Sequence, residues 1–130
     1  MLVLDENLPA SQRSLLRKWR VRFRAVGDDI SLAGTLDENL LPLLHRLPRP
    51  TFFTMDRDFR RPGWAHPAYC LAWLDVRVDQ AAEFIRRFVR HPAFDTQAKR
   101  LGKVVRVHPE GVDCWHVGKR TEDQICWPTS

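Results

Sequence analysis

Residues 1–9 read MLVLDENLP, so four apolar residues lead directly into two carboxylates. Residues 51–59 read TFFTMDRDF, where a second, mostly apolar run is followed by Asp56 and Asp58. A short run without alternating polar residues is typical of a strand that is buried on both faces, as in a parallel sheet. The two stretches therefore predict two central strands of an α/β fold, each followed by acidic side chains.

The rest of the chain alternates helical and strand patterns. Apolar residues at helical spacing predict helices over residues 9–19 and 35–47, and a later helix that Asp79 would cap and Pro92 would end. Alternating or wholly apolar patterns predict the remaining strands, which span residues 20–25, 70–74, 103–108 and 112–117. The last two strands flank a Pro-Glu-Gly turn and are expected to pair as a hairpin.

The order of the strands follows from these patterns. Strands that alternate with helices form a largely parallel sheet, and their crossovers are right-handed. The two apolar strands should be central and the arginine-bearing strand over 20–25 should lie outside them, which predicts the order 2-1-3-4. Ligands of open α/β sheets bind beyond the carboxyl ends of the strands, where the strand order reverses. The acidic pairs after strands one and three are expected to converge there: Asp5, Glu6, Asp56 and Asp58.

The composition is typical of one small domain. The chain has 130 residues, a net charge of +5 and three cysteines without metal-binding spacing. We expect one domain over residues 1–118, followed by a loose tail over residues 119–130. The positive charge weakly favours polyanionic partners, and the odd number of cysteines favours reduced thiols in the cytoplasm. No stretch predicts a membrane span, and the first apolar run is too short for a signal peptide.

Converging carboxylates need a cation that offsets their repulsion. Two carboxylates about 5 Å apart repel by roughly 3 kcal/mol at an effective dielectric near 20. A set of oxygen ligands suits Mg²⁺ or Mn²⁺, with water and a substrate phosphate completing the shell. Asp37 lies in the first turn of the second helix and is expected to join the site, whereas Glu38 can form a capping box with Thr35. The predicted metal ligands are Asp5, Glu6, Asp56 and Asp58, and the predicted catalytic carboxylates are Asp5, Asp37, Asp56 and Asp58.

Basic and amide side chains beside the acidic pairs are candidate substrate contacts. Arg57, Arg60 and Arg61 flank the predicted site and are expected to contact phosphates. Asn7 is a further candidate, although the same residue can simply cap the first helix. The arginines of the second strand can either grip phosphate or protect a sheet edge from aggregation. These are Arg20, Arg22 and Arg24.

Ordinary structural roles are also open for the acidic groups. Asp5 and Glu6 can help to cap a helix, and Asp37 lies where an acidic residue complements the helix dipole. Asp56 and Asp58 can form a turn. The site interpretation is favoured because all of these groups fall at one end of the predicted sheet.

Three motifs resemble those of a known family. The phrases LVLDENLP, GTLDENLL and FFTMDRDF are similar to motifs of the bacterial PIN-like proteins of the Mut7-C and DUF5615 type. The resemblance implies a small three-layer PIN-like fold and an Mg²⁺- or Mn²⁺-dependent ribonuclease, often a toxin that is paired with an antitoxin. Residues 60–64, RRPGW, depart from the family's acidic-apolar helix start, which bears on substrate contacts. The matching positions are Asp5, Glu6, Asn7, Pro9, Asp37, Glu38, Thr54, Asp56, Asp58 and Phe59.

Three classes of function fit these patterns. The first is a metal-dependent ribonuclease that acts on RNA, above all single-stranded RNA, with an antitoxin as partner. The second is a PIN-like module that binds nucleic acid or protein without catalysis. The third is a phospho-receiver domain, which is less favoured because Lys103 begins its strand instead of ending it. The hairpin and the arginine-bearing edge over 20–24 can serve either a partner protein or a homodimer, and the sequence does not choose between them.

Overall fold

The structure is a computed structural model that describes residues 1–27 and 37–128, and the side chains of all of these except residues 37–39. Its strands are β1 Leu2–Leu4, β2 Arg24–Ala25, β3 Thr51–Thr54, β4 Cys70–Leu74, β5 Lys103–His108, β6 Gly111–His116 and β7 Glu122–Cys126. Its helices are α1 Ala10–Lys18, α2 Asp37–Arg46, α3 Ala81–Arg90 and α4 Gln97–Arg100. Short 3₁₀ turns span Arg57–Phe59, Pro62–Trp64 and Val78–Gln80.

The strands form one sheet of seven in the order β2-β1-β3-β4-β5-β6-β7. The first five strands of this order are parallel, and β5, β6 and β7 are antiparallel neighbours. The predicted order 2-1-3-4 and the predicted hairpin are therefore confirmed. Because β1 and β3 run parallel as neighbours, the residues that follow them emerge side by side.

Helices cover both faces of the sheet, because successive residues of the central strands belong to two different apolar clusters. Leu4 and Phe53 pack with residues of α1 and α3, including Leu16. Val3 and Phe52 belong to the cluster that contains the leucines of α2. The central strands are thus buried on both sides, as their unbroken apolar sequence predicts.

Two predictions about helix starts are wrong. Asn7 does not cap α1, because Pro9 occupies the N-cap position and no side chain caps the helix there. Asp79 does not cap α3 either, since it lies within a 3₁₀ turn and pairs with Arg77 at 3.0 Å instead. The N-cap of α3 is Gln80, again without a side-chain hydrogen bond. Pro9 occupies the N-cap position of α1, and a 3₁₀ turn leads directly into α3, so neither helix begins at a polar side-chain cap.

The second strand is shorter than predicted, and the tail is more ordered. Only Arg24 and Ala25 of the segment 20–25 pair with β1. Arg20 has a left-handed backbone with φ 61°, and the backbone N–H of Val21 donates to the carbonyl oxygen of Leu16, so the start of this segment closes the end of α1 instead of joining the sheet. The prediction of a loose tail is wrong for Glu122–Cys126, which forms β7 against β6.

The described helices and cysteines bear on two further expectations. None of the helices in the described ranges has both the length and the apolar character that crossing a membrane requires. The three cysteines are free thiols, of which Cys70 and Cys114 are buried and Cys126 is exposed.

Candidate functional site

Asp5 and Asp56 come together at the carboxyl ends of β1 and β3. The backbone N–H of Asp5 continues the sheet by donating to the carbonyl oxygen of Phe53 at 3.0 Å. Between the two acids, the Thr54 hydroxyl donates to Asp5 Oδ2 at 2.7 Å and accepts from the backbone N–H of Asp56 at 3.0 Å. Both carboxylates line a cavity of about 330 Å³. The structure therefore brings one member of each predicted acidic pair to one cavity.

The environment of Asp5 disfavours its charge. Burial raises the pKa of the Asp5 carboxyl above its usual range, and the neighbouring Glu6 raises it further. The hydrogen bond from Thr54 and the backbone N–H groups of Asn7 and Glu6 oppose this effect without cancelling it. An incompletely stabilised carboxylate in a cavity gains from a nearby cation, because the opposite charge favours the ionised form.

Asp56 also forms part of a turn, which the sequence left open as an alternative role for this residue. Its Oδ1 accepts from the backbone N–H of Asp58 at 2.9 Å and so caps the 3₁₀ turn Arg57–Phe59. The cap uses one carboxylate oxygen, and the residue still lines the cavity beside Asp5. The turn and the site are therefore compatible uses of the same side chain.

The other predicted acidic groups are placed differently. Glu6 is half-buried and lines a second cavity, of about 60 Å³, together with Asp5 and Asp56. Asp58 is exposed and is not among the described residues that line either cavity. The side chains of Asp37 and Glu38, and all of Thr35, lie outside the described residues. Asp37 is described only as the first residue of α2.

These placements bear on metal binding. Within the described side chains, no group of three or more His, Cys, Asp or Glu is arranged to hold a metal ion. Asp5, Glu6 and Asp56 nevertheless share one cavity, and all of their donors are carboxylate oxygens. Such donors fit a hard cation such as Mg²⁺ or Mn²⁺ better than zinc.

The predicted substrate contacts are partly engaged within the protein. Both carboxylate oxygens of Glu122 on β7 accept from Arg60 Nη2 at 2.8 Å. Arg61 donates from Nε to the carbonyl oxygen of Asp58 at 2.9 Å, and its guanidinium lies 4.4 Å from the ring centroid of Trp64. Arg57 and Asn7 are exposed, and Asn7 lines both acidic cavities. Of the three arginines, Arg57 is exposed and its guanidinium has no hydrogen bond or ion pair with a described residue, so it is the most available for a phosphate.

None of the family models, curated proteins or solved structures compared with this chain matches it. The likeness to PIN-like proteins therefore stays a prediction from the three quoted motifs. The contacts of Thr54 with Asp5 and Asp56 support a chemical role for the cavity independently of that likeness.

Sequence reasoning missed a charged network at the same end of the sheet. Arg106 on β5 donates to Asp75, which follows β4, at 2.8 Å and to Asp113 on β6 at 2.9 Å. His108 lies between Asp113 and Glu110, at 3.2 Å and 3.1 Å. Arg106 and Asp113 are directly paired across the predicted hairpin, so the register of the hairpin was the signal that could have found them.

Proposed function

We propose that the protein is a metal-dependent nuclease that hydrolyses phosphodiester bonds in single-stranded RNA. The observation that carries this function is the convergence of Asp5 and Asp56 on one cavity, where a single threonine hydroxyl contacts both residues. The cavity lies at the strand-order switch between β1 and β3, where open α/β sheets bind their ligands.

The carboxylates and their neighbours have distinct tasks in this proposal. Asp5 and Asp56 would hold Mg²⁺ or Mn²⁺, and Glu6 and Asp37 would contact it directly or through water. When bound, such an ion lowers the pKa of its water and offsets the charge of the phosphate. Thr54 orients the Asp5 carboxylate by donating to Oδ2. Arg57 would neutralise the neighbouring phosphate.

The resemblance to PIN-like proteins extends this proposal to biology. It supports a toxin that acts in the cytoplasm and is held by an antitoxin. Expression of the chain alone should then arrest growth of the host cell, and Asp5→Asn should relieve the arrest.

Cleavage of labelled RNA by the purified protein tests the chemistry. With Mn²⁺, we expect the wild type to cleave, and Asp5→Asn and Asp56→Asn to lose at least about a hundredfold in rate, because removing one well-placed electrostatic group costs about 10²–10³. Asp95→Asn is the matched control, since Asp95 is exposed and pairs with Lys99 outside the cavity. Cleavage that persists in EDTA, or that survives both substitutions, would contradict the assignment.

A further inference from the structure

A cavity distinct from both acidic cavities lies at the opposite end of β1 from the acidic pair. Its volume is about 690 Å³, compared with about 330 Å³ at Asp5 and Asp56. Four arginines and an apolar floor that includes Val21 and Phe23 line it. We call this cavity the arginine groove; its arginines are Arg17, Arg20, Arg22 and Arg24.

The charges of the arginine groove are not neutralised by the part of the protein that the structure describes. All four arginines are exposed, and none forms an ion pair with a described carboxylate. Other arginines of the chain differ in this respect: Arg60 pairs with Glu122, and Arg106 pairs with Asp75. Four like charges around one cavity repel each other, and an anionic ligand would remove that cost.

The shape of the groove suits a chain of phosphates. Arg24 begins the edge strand β2 and Arg22 lies two residues before it, so their backbones are separated by at most about 7 Å. Guanidinium groups bind phosphate oxygens in a planar, two-pronged geometry that lysine cannot provide. A nucleic-acid strand presents such phosphates at regular intervals, whereas an acidic peptide places its carboxylates on flexible side chains.

The floor of the groove adds an apolar surface for bases. Val21 and Phe23 are half-buried, and the guanidinium of Arg17 lies 5.0 Å from the ring centroid of Phe23. Basic grooves with interleaved aromatic side chains are the usual means of binding single strands without sequence preference. Charge and floor together favour nucleic acid over other anions.

The groove is separate from the acidic cavity. Leu2 lines the groove and Asp5 lines the acidic cavity, and three residues of extended chain span about 10 Å. No described residue lines both the groove and either acidic cavity. Binding in the groove can therefore be measured without cleavage.

We propose that the arginine groove binds the sugar–phosphate backbone of single-stranded nucleic acid. This site goes beyond the proposed nuclease function, because it needs neither a metal ion nor the carboxylates. A strand bound here would be held close to the acidic cavity along the β1–β2 edge of the sheet.

Fluorescence anisotropy with a short labelled oligouridylate in EDTA tests the groove. The test variant carries Arg20→Gln, Arg22→Gln and Arg24→Gln, and the control variant carries Arg46→Gln, Arg90→Gln and Arg120→Gln, which are also exposed. We expect the test variant to bind about tenfold more weakly or worse, with a salt slope reduced by about 2, since each lost phosphate contact on a single strand removes about 0.7. The control variant should stay within about threefold of the wild type.

Equal affinities for the test and control variants would overturn the proposal. It would also be overturned if a polyglutamate peptide bound more tightly than the RNA and lost its affinity in the test variant, because the groove would then be a protein-binding site. A wild-type dimer that the test substitutions dissociate would likewise overturn it. Thermal melts should show that all variants are folded. If the triple Arg→Gln variant is not, a variant with Arg→Lys at the same three positions replaces it; this variant keeps the charge and should retain part of the binding.

The same assay separates the groove from the nuclease function. Asp5→Asn should bind the oligouridylate as the wild type does in EDTA. If the wild type binds the oligouridylate but does not cleave RNA, only the proposed nuclease function is contradicted. If it cleaves RNA but the groove substitutions do not weaken binding, only the proposed groove is contradicted.

Discussion

At the scale of single residues, Thr54 determines how the acidic pair is built. Its side chain is fully buried, with 0% exposure, and its hydroxyl contacts both the Asp5 carboxylate and the backbone of Asp56. A threonine at the end of a buried strand would ordinarily be interpreted as a β-branched residue that suits a sheet. Here it also fixes one oxygen of Asp5, and that role was visible only once the strands were paired.

The raised pKa of Asp5 leads to a prediction about pH. A carboxyl whose folded-state pKa lies above its unfolded value, about 3.9, contributes most to stability below that value and loses the contribution as pH rises through the folded pKa. The amide that Asp5→Asn introduces does not titrate. In EDTA, the free energy of unfolding of Asp5→Asn should therefore increase relative to that of the wild type as the pH rises from about 3 to about 7. Urea denaturation of both proteins at each pH measures this difference.

An opposite trend would show that the Asp5 carboxylate is well stabilised without metal. Asp95→Asn is a suitable comparison, because hydrogen bonding to Lys99 lowers the pKa of the exposed Asp95 carboxyl. The free energy of unfolding of Asp95→Asn should therefore fall relative to that of the wild type as the pH rises over the same range.

At the scale of elements, the order of the first four strands could be predicted and β7 could not. Buried apolar runs mark β1, β3 and β4 because both of their faces meet helices. β7 reads EDQIC and is exposed at three of its five positions, so it lacks the apolar alternation that identifies a strand. Its place is set by pairing with β6 and by Trp127, whose Nε1 donates to the carbonyl oxygen of His108 at 2.8 Å.

Gly111 shows how closely β6 and β7 approach. A Cβ at this position would lie 2.3 Å from the carbonyl oxygen of Ile125, which belongs to the backbone and cannot turn aside. Gly111→Ala should therefore lower the free energy of unfolding by about 1–3 kcal/mol, as for other overpacked sites, and reduce hydrogen-exchange protection in β7.

Gly63→Ala is the matched control for this substitution. Apart from Gly63 and its two chain neighbours, nothing lies within 4 Å of a Cβ at this position, so the change should stay within about 0.5 kcal/mol, as is usual for surface substitutions. Unaltered protection of β7 in Gly111→Ala would mean that the strand tolerates a wider separation from β6.

At the scale of the whole molecule, the candidate site could be predicted in part. Asp5 and Asp56 converge because the chain passes from β1 through α1, β2 and α2 and returns as β3 to the position beside β1 in the sheet. The exposure of Asp58 and the pairing of Arg60 with Glu122 could not be predicted, since the first depends on the cap formed by Asp56 and the second on β7.

Metal binding should stabilise the whole protein. A ligand that binds only the folded state at about ten times its Kd adds about 1.4 kcal/mol to the free energy of unfolding. Millimolar Mn²⁺ should therefore raise the Tm of the wild type but not that of Asp56→Asn, whose asparagine preserves the cap and removes the charge. Equal Tm shifts in the two proteins, measured by calorimetry, would place the metal elsewhere.

The ion pair between Arg60 and Glu122 joins residues that are 62 positions apart. A ribosome must therefore synthesise β4, α3, α4 and the hairpin before Arg60 can pair with Glu122. Until Glu122 has been translated and has emerged from the ribosome, Arg60 cannot form this ion pair. The contact that joins the loop after Asp56 to β7 is thus one of the last that the growing chain can form.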